Sequence, residues 1–122
     1  MVGGIPGYVR ENAGRWGRNM KYLGLRIRAA RKLHKYSLET LGERTGVSDV
    51  SIWNAEIGRQ MPNLLSAFCI AEVLNVSLDW LTGRSPAVNE VEIKAEELLT
   101  NGEVKFKKTA NVGYQRYVPR TE

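Results

Sequence analysis

Between Ser37 and Arg59 two short helical periods flank a single glycine turn, and this pairing limits the fold more than any other feature of the chain. Ser37 carries a side-chain oxygen suited to cap a helix that points Leu38 and Leu41 inward and stops near Gly46. Ser48 caps the next helix, about 49–57, with Val47 and Ile52 turned inward and Gly58 ending it. Helices joined this tightly cross steeply. Close crossing needs a small residue on the first helix, here Gly42, and the turn needs one tolerant of positive φ, here Gly46.

The flanking segments supply a core for this pair. Leu23, Ile27, Ala30 and Leu33 form one stripe of a helix running from residue 22 to about Lys35, with most arginines on its other faces. Pro62-Asn63 opens a fourth helix, where Leu64, Ala67, Phe68, Ala71 and Leu74 recur at helical spacing. Ser77 caps a short fifth turn holding Trp80 and Leu81, closed by Thr82-Gly83. Val88, Val91, Ala95, Leu98 and Leu99 mark a sixth helix that ends at Asn101-Gly102. Beyond it, alternation over Val104–Lys107 and again over Tyr114–Val118 predicts a C-terminal β-hairpin. The expected architecture is all-α, a compact five-helix domain with a sixth helix and that hairpin. Residues 1–19, with five of the twelve glycines, read as a flexible basic arm, residues 20–83 as the domain, and residues 84–122 as a tail.

Composition then limits the chemistry. The 122 residues amount to one domain. A single cysteine, Cys69, excludes an intrachain disulfide and a cysteine-rich zinc site, and a single histidine, His34, leaves too few ligands for catalytic zinc. No metal and no cofactor is expected. No apolar run approaches the roughly 18 residues that span a bilayer, and residues 1–8 do not have the pattern of a secretory signal. The expected setting is a reducing cytoplasm, without a membrane. Glu96-Glu97 is better read as a solvated helix face than as a catalytic acid and base, and no nucleophile or phosphate-binding glycine loop accompanies it; an enzyme is not expected.

The net charge of +5 is unevenly spread. Residues 20–35 hold Lys21, Arg26, Arg28, Arg31, Lys32 and Lys35 with no acid, whereas residues 36–83 set Arg44 and Arg59 against Glu39, Glu43, Asp49, Glu56, Glu72 and Asp79. Positive charge therefore belongs to the start of the chain, where it suits a phosphate-bearing partner.

The crossing at residues 37–59 is helix-turn-helix geometry, which sets a second helix proud of the surface and able to enter a major groove about 12 Å wide. Residues 22–83 resemble the Cro and phage-repressor family of helix-turn-helix regulators, with a lambda-repressor-like domain. The likeness rests on the turn Gly46-Val47-Ser48, on Glu56-x-Gly58-Arg59, on the closing run Ala71–Gly83, and on Arg31 and Glu56 at the positions of the family's structural ion pair. Carried over residue by residue, it implies base reading by Asp49, Val50 and Asn54, with Trp53 beside them. Asn54 suits adenine and Val50 a thymine methyl. It also implies backbone contacts from Ser48, Ser51 and Arg59, while charge segregation adds Lys21, Arg26 and Arg28, together with Arg18. Two departures stand out: Leu38 and Asp49 occupy positions where the family often has glutamine.

The expected function is that of a sequence-specific repressor of double-stranded DNA, acting as a homodimer on paired half-sites, with Trp80, Leu81, Val91, Leu98, Phe106 and Tyr114 as dimer or partner contacts. The tail is too short for a self-cleaving peptidase domain, so release by an antirepressor protein is the expected induction route. An antitoxin that binds DNA and masks a toxin is one rival, and a protein-interaction module built on Trp53 is another. Cys69 reads as a buried small hydrophobe, and His34 as a solvent-facing or dipole-stabilised residue at a helix end.

Overall fold

The computed structural model describes residues 13–105, with side chains from Tyr22 onward. Among the described residues the chain is all-helical: α1 (Ala13–Leu33), α2 (Leu38–Thr45), α3 (Asp49–Glu56), α4 (Leu64–Leu74), α5 (Leu78–Thr82) and α6 (Glu90–Thr100). The expected hairpin falls almost wholly outside the described residues. Its first two residues, Val104 and Lys105, are not in a strand, and Val104 is buried in the core.

Helix starts follow cap chemistry. Ser37, Ser48, Asn63, Ser77 and Asn89 each take extended backbone, and each side chain accepts from the amide three residues on, so one orphan donor per helix is satisfied. At α6 the bond is reciprocated by Glu92, completing a capping box. Gly46, at φ 76°, ends α2 in the left-handed region, where a side chain would be strained.

The first helix differs from expectation at its start. It begins at Ala13, so residues 13–19, read as part of an arm, are helical despite Gly14 and Gly17. It runs through the middle of the domain, packing on α3, α4, α5 and α6. Leu25, Ile27, Leu41, Ile52, Ile70, Leu74, Trp80 and Leu81 are its fully enclosed neighbours and members.

Helix α6 is part of this same core. Ala95 and Leu99 are buried against it, and Val104 closes the end with its amide donating to the Leu98 carbonyl. The Glu92 carboxylate is buried and accepts from the amides of Ser77, Val88 and Asn89, at 2.8, 2.9 and 3.3 Å. The Trp80 indole donates to Glu96 Oε1 at 2.8 Å. Glu96 is thus half-buried and engaged with the core, which corrects its reading as a plain solvated residue. Two of the residues expected to bind a partner, Trp80 and Leu81, are corrected on the same ground. Trp80 and Leu81 are fully buried because α5 closes over α1, while Val91 and Leu98 are half-buried against the same core. Phe106 and Tyr114 lie outside the described residues.

Candidate nucleic-acid interface

The orientation of α3 is fixed from behind. Its buried side, Ile52, Ala55 and Glu56, faces the core, and Glu56 meets Arg31 of α1 in a two-pronged ion pair. Arg31 Nε donates to Oε2 at 2.6 Å and Nη2 to Oε1 at 2.9 Å, while Nη1 donates to the Tyr36 carbonyl at 2.9 Å. One guanidinium therefore ties α3 to α1 and to the entry of α2. Planar, bidentate pairing of this kind fixes direction as well as distance.

A second constraint is steric, and the sequence reading missed it. At Gly24 of α1, a Cβ would overlap the Ala55 carbonyl oxygen and lie 2.8 Å from that of Glu56. The two backbones touch there, so only glycine permits the crossing. Gly42 plays the expected part at the turn, where a Cβ would come within 2.8 Å of the Val47 carbonyl oxygen.

Held this way, α3 presents Asp49, Val50 and Ser51 to solvent, with Val50 63% exposed. Asn54, one turn beyond Val50, and Trp53, one turn beyond Asp49, are half-buried. The Ser48 hydroxyl donates to Ser51 Oγ at 2.8 Å and accepts from the Ser51 amide at 3.1 Å, so both hydroxyls sit at the exposed start of the helix. Arg59 is exposed beyond the helix end, in a turn closed by its amide donating to the Asn54 carbonyl at 2.9 Å.

The expected phosphate-contacting residues of α1 fare differently. Arg26 is buried, 2% exposed, and its Nη1 donates to the Leu81 carbonyl at 3.2 Å. That removes it from the backbone-contact set: its charge is used inside, holding the end of α5 to α1. Arg28 is half-buried beside Glu56 and Arg31, and its Nε is enclosed without a hydrogen-bond partner among the described residues. Burial lowers its pKa, Glu56 opposes that, and the like charge of Arg31 adds to it. The Lys21 side chain lies outside the described set.

These assignments change the surface charge. From residue 22 to 83, the exposed bases are Lys32, Lys35, Arg44 and Arg59, against the exposed acids Glu39, Glu43, Asp49, Glu72 and Asp79. Arg44 lies 4.8 Å over the Tyr36 ring, which stacks on its other neighbour, His34. His34 Nε2 in turn donates to the Leu74 carbonyl at 2.7 Å, placing it half-buried at the C-terminal end of α4. Cys69 is half-buried rather than enclosed. Among the described residues, no group of three His, Cys, Asp or Glu side chains is placed to hold a metal ion, and no helix is long and apolar enough to cross a membrane.

A short helix held proud of the surface, crossed by a second through a glycine turn, defines a helix-turn-helix domain. Residues 27–81 match the family described as Helix-turn-helix, and they form a domain of its Cro and phage-repressor type. No curated protein and no solved structure matches the chain. Residues 27–81 thus have the features of a DNA-binding domain family of transcriptional regulators.

Proposed function

We propose that the protein is a sequence-specific repressor that binds double-stranded DNA as a homodimer on paired half-sites. The observation that carries this reading is α3 itself, clamped from behind by Arg31–Glu56 while Asp49, Val50 and Ser51 face solvent. In this reading Val50 and Asn54 read base edges, with Trp53 packing beside them. Asp49 accepts from a donor such as cytosine N4 and disfavours bases lacking one. Ser48, Ser51 and Arg59 contact the backbone.

Charge balance argues that the described face supplies little phosphate attraction of its own. Arg10, Arg15, Arg18 and Lys21, ahead of the described side chains, add positive charge on the N-terminal side of the domain in the sequence. Arg28 stays in the proposed backbone set, and Arg26 leaves it.

Selection of duplexes from a random pool, followed by anisotropy titration across salt concentrations, tests the reading. An enriched two-fold-related motif bound at least about 10³-fold tighter than random duplex is the expected result. Equal, purely salt-driven affinity for every duplex would refute sequence-specific repression.

A further inference from the structure

The expected dimer contacts at Trp80 and Leu81 are enclosed, yet a different apolar face is open. Met61, Leu64, Leu65 and Phe68 are 53%, 77%, 72% and 50% exposed. Leu64, Leu65 and Phe68 are at helical spacing in the N-terminal half of α4, and Met61 lies just ahead of its cap, Asn63. Large apolar residues grouped this way at the surface mark an interaction site more often than isolated ones do. From Gln60 to Ala71 there is no charged residue, in a chain where one residue in four is charged.

We infer that this face of α4 is where a second copy of the chain docks, in a two-fold pairing of like surfaces. Three features select that occupant. First, an uncharged apolar face is compatible with itself, because a two-fold axis sets each residue near its own copy and no like charges are opposed. Second, the area suffices: the four side chains offer about 500 Å² per copy, so pairing hides about 1,000 Å², near the lower limit for a specific interface. Third, the other exposed apolar pair, Val88 and Ile93, is unsuited to self-pairing. The open groove of about 560 Å³ beside Ile93 is lined by Glu96 and Glu97; Glu90, one turn away, is paired with Lys94 at 2.8 Å, so the exposed Glu97 is the acid that self-pairing would set near its own copy.

Placement gives the pairing a use. The start of α4 follows the end of α3 by only the connection 57–63, and α4 packs on α2 of the helix pair. Joining two copies through α4 therefore sets two α3 helices on one assembly, as two half-sites require. This last consequence rests on the reading of α3 above; the pairing itself does not.

Sedimentation velocity on the full chain, over about a hundredfold range of concentration, tests the pairing. The wild type is expected to show a monomer–dimer equilibrium. Leu64→Glu/Leu65→Glu is expected to weaken it by on the order of 10²–10³-fold, since each change occurs twice in the dimer. Both leucines are exposed in the single chain, so a thermal melt taken at concentrations where the wild type is monomeric should be unchanged. Ile93→Glu, on the acid-lined face, should leave the dimer intact. A wild type that stays monomeric throughout overturns the proposal, as does a double variant that dimerises like the wild type or an Ile93→Glu variant that dissociates. Using a duplex selected against the full chain and its single half-site, the double variant should lose affinity for the paired site only. Equal loss on the single half-site would make α4 a DNA contact and overturn the pairing. Failure to select any duplex would count against the reading of α3 and leave the sedimentation result standing as support or refutation of the interface.

Discussion

Replacing Glu56 by alanine removes the carboxylate that accepts two N–H groups of Arg31 at 2.6 and 2.9 Å. The Glu56 side chain is wholly enclosed and that of Arg31 is 10% exposed, so water cannot take over those donors without opening the contact between α1 and α3. Arg28, half-buried alongside, loses the negative charge that offsets its burial and its repulsion by Arg31. Stranding one member of a buried pair costs about 3–5 kcal/mol, a large part of the roughly 5–15 kcal/mol that holds a domain together. In a domain of this size the melting temperature should fall by about 15–25 °C. Urea unfolding followed by circular dichroism measures the loss directly. A double variant, Arg31→Met with Glu56→Leu, removes both charges and fills the space, and should recover to within about 1–2 kcal/mol of the wild type. A loss below about 1 kcal/mol for Glu56→Ala, or a double variant no better than the sum of its parts, would refute the claim that an enclosed pair fixes α3.

Gly24→Ala should destabilise the domain by at least about 2–3 kcal/mol in a thermal melt, because both atoms it strikes are backbone carbonyl oxygens that cannot swing aside. Arg26→Met should lower stability by about 1–3 kcal/mol and leave the slope of log affinity against log salt unchanged, whereas Arg18→Gln and Lys21→Gln should each reduce that slope by about 1 without changing the melt. Asn54→Ala should relax preference at one base pair by about 1–3 kcal/mol, read from anisotropy with single-substitution duplexes.

How much of this was legible in the sequence depends on how far apart the interacting groups lie along the chain. The starts of α2 to α5 were, because Ser37, Ser48, Asn63 and Ser77 act on amides three residues away. The Arg31–Glu56 pair was placed by family resemblance, and its bidentate geometry needed the structure. Arg26 was misread because its acceptor, the Leu81 carbonyl, lies 55 residues away, and a surface arginine has the same one-letter signature as a buried one. Gly24 was overlooked because a glycine inside a helix gains meaning only when a second backbone is set against it. The helical start at Ala13 was hidden by Gly14 and Gly17, whose intrinsic helix cost the longer helix absorbs. Exposure of Leu64 and Leu65 was equally hidden, since apolar periodicity marks a face without saying what covers it.

The bonds from α6 back to α5 bear on where this protein can be divided. The match to the family ends at residue 81, yet the Ser77 amide and the Trp80 indole, both inside that boundary, find their acceptors on Glu92 and Glu96 beyond it. A polypeptide cut after Gly83 would open the side of α1 that α6 covers and strand both donors. The packed core therefore extends to Val104. Grafting the reading unit onto another protein means carrying α6 along, so the module that can be inherited or engineered is longer than the motif by which it is recognised.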